Sequence, residues 1–146
     1  MFTTSAEITI DRPINEVFDF IADNENDPKW CVPVVETTRI TGSAPGAGAR
    51  YSFASQAGLI KLRGEFEITA FEPPGKIEWV GESSIVKFSG LYHLESVGAG
   101  TKLKERTTFE LKGLLVPLQG MMISQYQKTY ETQLERLKAL LENSEI

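Results

Sequence analysis

The sequence predicts an α+β domain, in which a curved antiparallel sheet of about seven strands wraps around one long C-terminal helix. Two observations support this prediction. From residue 34 to residue 112, short segments alternate apolar and polar residues between tight turns, which is typical of antiparallel strands with one solvated face. The segment Gly113–Glu142 ends in leucines at helical spacing, and no other predicted element is large enough to cover the apolar face of the sheet.

The N-terminal part predicts one strand followed by two short helices. SAEITIDRP alternates apolar and polar residues and ends in a turn, so it is predicted to be a strand. Pro13 can begin a helix because its missing N–H would be unpaired there anyway, and Val17, Phe20 and Ile21 follow at helical spacing. NENDPKW then breaks this helix, and a short helical turn is expected before Trp30.

Six further strands follow in a meander, because tight turns join neighbouring antiparallel strands and leave no room for crossover helices. In LIKLRGEFEITAFE, one face carries the apolar residues Ile60, Leu62, Phe66 and Ile68. In VKFSGLYHLESV, the corresponding face carries Phe88, Gly90, Tyr92 and Leu94. In the last strand, TKLKERTTFELKG, it carries Leu103, Glu105, Thr107, Phe109 and Leu111.

The long helix is predicted to span about 26 residues, or roughly 39 Å at 1.5 Å per residue. Its second half places leucines on one side: Leu134, Leu137, Leu140 and Leu141. Its first half carries Gly120, Met121, Met122, Gln125, Tyr126 and Thr129, where a tightly packed helix would carry Leu, Ile or Ala. We therefore expect the second half to pack on the sheet and the first half to stand off from it.

Composition excludes several classes of protein. The net charge of −5 argues against nucleic acid as the main partner, because phosphate binding needs clustered Lys and Arg. The only cysteine, Cys31, rules out an intrachain disulfide and is compatible with the cytoplasm. No signal peptide and no apolar stretch of the roughly 20 residues that cross a membrane are evident. One histidine and one cysteine predict no metal site, and no cofactor motif is present.

Several motifs together resemble the START-like, Bet v 1-like superfamily (SRPBCC), and most closely its polyketide cyclase/dehydrase branch. They are ITIDRPINEVFDFIAD, PKW, GAGARY, FEPPGKIEW, GAGTKL and LERLKALLE. The resemblance covers essentially the whole chain and implies one helix-grip domain over residues 1–146. It also implies a deep, mostly apolar cavity between the long helix and the sheet. Members of the superfamily include lipid carriers, hormone receptors, aromatase/cyclases, quinone-binding proteins and co-chaperones.

The expected ligand-binding residues line this cavity from two sides. The sheet and Trp30 provide the floor, and the first half of the helix provides the roof, where methionine suits varied apolar partners. The full predicted set is Trp30, Tyr51, Phe53, Phe66, Trp79, Phe88, Tyr92, Glu105, Thr107, Met121, Met122, Gln125, Tyr126 and Thr129. For the helix residues, the alternative is the loose end of an ordinary packed helix.

Glu105 is the only candidate for a catalytic acid. The alternation places it on the apolar face, where a lone carboxylate is costly unless it is paired or protonated. In the functional interpretation, Glu105 binds the ligand or shuttles a proton. In the structural alternative, it lies at an exposed strand end, a bulge shifts the register, or it pairs with Arg39 or Arg50. His93 is expected to point outward. Cys31 is expected to be a small apolar filler near the cavity mouth, and the loop SAPGAGAR a flexible segment at its rim.

Three functions remain open at this point. The first is binding of a small apolar or aromatic molecule by a monomer or homodimer without membrane insertion. The second is an enzyme, a cyclase, dehydratase or hydrolase that acts on such a ligand through Glu105 or a tyrosine. The third is a protein-interaction module with a filled interior.

Overall fold

The structure, a computed structural model, describes residues 1–31, 34–42, 45–57 and 59–143. An antiparallel sheet and three α-helices form its framework, with two 3-10 turns at Asn24–Asn26 and Gly113–Leu118. The helices are α1 (Ile14–Ala22), α2 (Asp27–Trp30) and α3 (Gln119–Glu142). The strands are β1 (Phe2–Ile10), β2 (Val34–Thr41), β3 (Arg50–Ala57), β4 (Ile60–Glu72), β5 (Lys76–Ser83), β6 (Val86–Val97) and β7 (Gly100–Leu111).

The described strands form one seven-stranded sheet in the order β1-β7-β6-β5-β4-β3-β2. Strands β2 to β7 are a meander, and the N-terminal strand pairs with the last one, from Phe2 opposite Phe109 to Ile10 opposite Thr101. Irregular register within β2–β3 and at Ile68–Ala70 adds local bends. This is the helix-grip arrangement that the resemblance implies, and the predicted fold class is confirmed.

Helix α3 lies across the sheet and, among the strands, packs its backbone mainly on β1. The leucines of its second half are buried as predicted, with Leu134, Leu137 and Leu141 at most 1% exposed. The α-helix spans 24 residues, roughly 36 Å, close to the predicted length of about 26 residues. A 3-10 turn, Gly113–Leu118, precedes it and contains Pro117, which has no N–H to donate.

The apolar core is divided into two clusters. The larger cluster surrounds Trp30, Tyr92 and the leucines of α3, and the smaller one is built from Phe2, Val86, Phe109 and Leu111. A single domain usually has one contiguous core. The division therefore needs a cause, and the cause lies in a set of buried polar side chains.

These side chains occupy equivalent positions in three elements. Along β7, Glu105 and Thr107 lie between Leu103 of the larger cluster and Phe109 of the smaller one. Thr4 interrupts β1 and Gln133 interrupts α3 in the same way, and all four side chains are at most 3% exposed. We call Thr4, Glu105, Thr107 and Gln133 the polar band.

Two further predictions concern the loop SAPGAGAR and the position of Ile60. The loop expected to be flexible, SAPGAGAR, lies partly outside the described residues, since residues 43 and 44 are not described. Its later part is a turn in which the Gly48 N–H donates to the Ile68 carbonyl at 2.8 Å. Ile60 was assigned to the apolar face, but the β3–β4 hairpin projects beyond the core and leaves this side chain 64% exposed.

Candidate functional site

The floor of the predicted cavity is a row of aromatic rings across strands β3 to β6. Tyr51 stacks on Phe66 at 5.1 Å between ring centroids, and Phe53 contacts Phe66 at 6.1 Å and Phe88 at 5.8 Å. Trp79 lies 4.5 Å from Tyr92. The predicted floor residues therefore form nearly continuous ring contacts.

Each of four rings has a glycine as its register partner on the next strand. Phe53 pairs with Gly64, Phe66 and Phe88 both pair with Gly81, and Trp79 pairs with Gly90. A Cβ added to Gly64 or Gly81 would lie 2.6 Å from Phe53 Cζ or 2.7 Å from Phe88 Cζ, and one added to Gly90 would collide with the Trp79 ring. The rings therefore lean across neighbouring strands and lie against the backbone of the glycines. Glycine inside a strand is the sequence signal for such close approach.

The burial of these side chains differs along the floor. Tyr51 and Tyr92 are buried in the larger cluster, whereas Phe53, Phe66, Trp79 and Phe88 are only half-buried. Their rings occupy the inner side of the sheet, and part of each aromatic surface remains exposed. Large apolar groups left half-exposed in a concave surface are typical of ligand sites.

The roof is formed by one row of α3 residues. Tyr126 stacks on Phe109 at 4.7 Å, and Tyr130, which the sequence reasoning missed, lies 5.9 Å from the same ring. Met122 packs on the same smaller cluster and is half-buried. These residues are four apart, so they share one side of the helix. Tyr130 could have been predicted from the sequence, because it follows Tyr126 at the same spacing of four residues.

Two predicted roof residues face solvent instead. Met121 is 76% exposed and Gln125 is also exposed. Each precedes a roof residue by one position, and one position is a rotation of about 100° around the helix. In this conformation neither side chain is covered, so we remove both from the proposed lining. Thr129 is half-buried, and its hydroxyl donates to the Gln125 carbonyl at 2.9 Å.

Glu105 is buried inside the polar band, at 3% exposure. The register of β7 with β1 and β6 is regular at this point, so no bulge turns the side chain away. Its partner is the Gln133 amide, whose Nε2 donates to the two carboxyl oxygens at 3.0 and 3.2 Å. Arg50 instead pairs with Glu65 on the outer face, at 2.9 Å. Burial raises the pKa of Glu105 from 4.5 to about 8, although the Gln133 hydrogen bond opposes the rise.

A second acid, Asp27, lies in the interior at 9% exposure. Asn24 Nδ2 lies 3.3 Å from one carboxyl oxygen of Asp27, and burial raises the pKa of Asp27 from 3.8 to about 8. The charge of Asp27 in turn raises the pKa of Glu105. In the sequence, Asp27 was interpreted only as part of a turn signal with Pro28. The packing of α2 under α3 turns it inward.

Other polar groups surround the two acids. Burial raises the pKa of Cys31, Tyr92 and Tyr130 well above their usual ranges, and the charge of Glu105 contributes in each case. Trp30 is fully buried, and among the described residues its Nε1 has no hydrogen-bond partner. The same holds within the described chain for the buried hydroxyls of Thr4 and Thr107. The Thr107 hydroxyl lies near that of Tyr130 but outside hydrogen-bond geometry.

Some predicted features lie away from this site. His93 is exposed, as expected. Cys31 is buried beside the acids in the larger cluster, as expected of a small apolar filler. A hollow of about 740 Å³ on β3 to β6 is lined by Arg50, Arg63, Lys87 and three glutamates, together with Phe66, Val80 and Phe88. The six charged residues distinguish this hollow from the predicted, mostly apolar cavity.

The described residues contain neither a metal-binding cluster nor a membrane-spanning helix. No group of three or more His, Cys, Asp and Glu side chains there could hold a metal ion. Within the same residues, no helix has the length and apolar character needed to cross a lipid bilayer.

Solved structures with the same fold cover nearly the whole chain. TTHA0849 from Thermus thermophilus matches 94% of this chain and 95% of its own, at 20% identity and a TM-score of 0.77. A conserved protein from Geobacillus kaustophilus matches 98% of this chain and 97% of its own, at 16% identity and a TM-score of 0.82. DynU16, from the dynemicin biosynthetic locus, matches 97% of this chain and 48% of its own, at 17% identity and a TM-score of 0.69.

At these identities the similarity shows the fold alone, and no curated protein matches the chain. A family model shows the family as well, because it matches residues 1–142, almost the whole sequence. Its description is "polyketide cyclase / dehydrase and lipid transport". By this match and by its helix-grip fold, the chain belongs to the polyketide cyclase / dehydrase and lipid transport family.

Proposed function

We propose that this protein binds a small apolar or aromatic molecule between α3 and the inner face of the sheet. The observation that carries the proposal is the set of half-buried aromatic rings on the inner face of the sheet, together with half-buried Met122 and Tyr126 on the helix. The family supports the same class of function, since its description includes lipid transport.

Binding would be driven by burial of the ligand's apolar surface and of the exposed parts of the rings. Each Å² removed from water contributes about 25 cal/mol before the ordering costs of binding. The glycine partners of the rings keep the floor low, so a flat molecule can lie on it. The remaining predicted lining residues are Trp30, Tyr51, Phe53, Phe66, Trp79, Phe88, Tyr92, Glu105, Thr107, Met122, Tyr126 and Thr129.

The expected partner is a small molecule and not a nucleic acid, because the chain carries a net charge of −5. The buried thiol of the only cysteine suits a reducing compartment, which supports a cytoplasmic location.

Native mass spectrometry of the purified protein, followed by solvent extraction, tests the proposal directly. We expect an apolar or aromatic molecule at near-stoichiometric occupancy. A protein that carries nothing and binds no neutral apolar probe would contradict it. It would favour the alternative of a protein-interaction module.

A matched pair of variants tests the position of the site with the neutral dye N-phenyl-1-naphthylamine. Met122→Trp places a larger side chain in the roof, and we expect it to weaken dye binding on the order of tenfold, about 1.4 kcal/mol. Met121→Trp adds the same group one position away, at a side chain that is 76% exposed, and should change little. Equal effects of the two substitutions in folded protein would show that the dye does not bind beneath α3.

A second function, acid–base catalysis on the bound molecule, is favoured by the two interior carboxyls. Because the pKa values of Asp27 and Glu105 are raised to about 8, both groups are mostly protonated at neutral pH and can donate a proton. With the extracted molecule as substrate, Glu105→Gln and Asp27→Asn should each abolish turnover. Turnover that survives both substitutions would exclude these acids from the chemistry.

A further inference from the structure

The polar band lies at the inner end of the proposed ligand site, and its side chains indicate which polar group the ligand carries. We infer that the ligand presents an uncharged hydrogen-bond acceptor, such as a ketone or quinone carbonyl, to Thr4, Glu105 and Thr107, and that carboxylate ligands are disfavoured. This inference rests on the proposed binding function and narrows its ligand class.

The geometry places two buried hydroxyls side by side. Thr4 and Thr107 are direct register partners on adjacent strands, and both are at most 2% exposed. Neither hydroxyl has a hydrogen-bond partner among the described residues. A buried polar group without a partner is unfavourable, so a ligand that accepts hydrogen bonds here would gain from both.

Glu105 adds a third donor on the same face, two residues before Thr107 in β7. It is protonated at neutral pH, because burial raises its pKa to about 8. A protonated carboxyl has one O–H to donate, whereas the ionised form only accepts. Tyr130, whose hydroxyl lies near Thr107, is also protonated there, since burial raises its pKa.

Among the described residues, the titratable groups around this position include no cation that would bind an anionic ligand. The titratable groups near Glu105 are Asp27 and Cys31 from α2 and its C-terminal end, Tyr92 from β6 and Tyr130 from α3, and all are acids. None of the ion pairs formed by the described residues includes Asp27 or Glu105.

One cation, Arg136, lies close enough to act on a neighbouring group. Arg136 lowers the pKa of Cys31, but its guanidinium is exposed and donates to the Lys29 carbonyl at 3.0 Å. A ligand carboxylate at the polar band would therefore lose its hydration without gaining a cation.

Four naphthalenes of nearly equal size test the inference by calorimetry at pH 7: 2-acetylnaphthalene, 2-ethylnaphthalene, 2-naphthoate and 2-naphthylmethylammonium. We expect the ketone to bind roughly three- to tenfold more tightly than the ethyl compound, as one or two hydrogen bonds would give. We expect 2-naphthoate to bind at least about tenfold more weakly than the ketone. The ammonium compound should also bind more weakly than the ketone at pH 7, because the acids are protonated there.

The preference should depend on pH in a defined direction. Between pH 7 and 8.5 Glu105 becomes mostly ionised while the ammonium compound stays mostly protonated, so the ketone should lose part of its advantage and the ammonium compound should gain affinity. Glu105→Gln keeps an N–H donor and cannot ionise, so it should remove most of this pH dependence. Circular dichroism at each pH checks that the protein remains folded.

Thr107→Val tests the hydroxyl, with Thr108→Val as its matched control. The next residue points to the outer face, where the Thr108 hydroxyl lies 3.0 Å from that of Thr3. Thr107→Val should reduce the ketone preference about two- to threefold, and Thr108→Val should leave it unchanged.

The outcomes distinguish failure of the inferred ligand class from failure of the proposed binding function. If the four compounds bind equally, or 2-naphthoate binds as tightly as the ketone, the inference is wrong and the binding function stands. A ketone preference that survives both Thr107→Val and Glu105→Gln would place the acceptor elsewhere and also overturn it. If no compound binds to folded protein, the proposed function itself fails for ligands of this kind.

Discussion

Glu105→Gln should make the protein more stable in neutral and alkaline solution. The substitution preserves the shape of the side chain and an oxygen that can accept the hydrogen bond from Gln133 Nε2. It removes the cost of ionising a carboxyl inside the polar band. The pKa of Glu105 is about 8 in the folded protein and 4.5 in a solvated chain. Between these two values the unfolded chain has released the proton and the folded protein still holds it.

The sign and the magnitude follow from that difference. The folded state binds more protons between pH 4.5 and about 8, so its stability falls as pH rises through this window. A tenfold change in proton affinity is worth about 1.4 kcal/mol, which caps the total loss at roughly 5 kcal/mol. Because a domain is stable by only about 5–15 kcal/mol, this is a large effect.

Urea denaturation at several pH values between 4.5 and 9 measures the difference in stability between the Glu105→Gln variant and the wild type. Near pH 4.5 the folded protein holds a neutral side chain at this position in both cases, and the variant should match the wild type within about 1 kcal/mol. At pH 8.5 we expect the variant to be more stable by about 2–5 kcal/mol. The variant should still lose some stability as pH rises, through Asp27, whose pKa is also raised to about 8.

Glu110→Gln is the matched control, because Glu110 lies on the same strand and is exposed on the outer face. It should change stability by no more than about 0.5 kcal/mol at any of these pH values. If Glu105→Gln lowers stability at pH 8.5, or if its effect does not grow between pH 4.5 and 8.5, Glu105 is paired or solvated in the folded protein. The account of the polar band would then be wrong.

Two further predictions concern the floor and the interior. Gly90→Ala places a Cβ against the Trp79 ring, so we expect it to lower the free energy of unfolding in urea by about 1–2 kcal/mol. Gly120→Ala, which has open space around it, should raise the same quantity by up to about 1 kcal/mol. A more stable Gly90→Ala variant would show that the Trp79 ring does not lie against Gly90. Iodoacetamide should label Cys31 far more slowly in native protein than in urea at pH 7.5, because burial and the neighbouring acids raise the pKa of its thiol. Mass spectrometry measures the labelling rate, and equal rates in the two conditions would contradict the burial of Cys31.

The regular parts of the fold could be predicted because their signals are local. Side chains alternate along a strand and repeat every 3.6 residues in a helix, whatever the rest of the chain does. The alternation in β7 therefore placed Glu105 and Thr107 inside, and both are buried. The leucines at 134, 137 and 141 likewise identified the face of α3 that packs on the sheet.

The candidate site could be predicted only in part. The ring-bearing strand residues lie on the inner face as expected, but the helix residues divide between Met122, which packs on the smaller cluster, and Met121, which faces solvent. Periodicity gives the spacing of a helix face, while the rotation of the helix about its axis depends on which row meets the sheet. In the first half of α3, apolar and polar residues occupy several rows, so the pattern did not select one.

The sequence by itself therefore determined the order of elements and the inner face of the main strands, and it left open whether Glu105 is buried. Only the tertiary structure decided that Gln133 meets Glu105, although 28 residues separate them, and that Asp27 turns inward from a turn motif. The physical reason is that backbone geometry sets the direction of a side chain locally. Its partner depends on how distant elements pack, and that packing is set by the whole core.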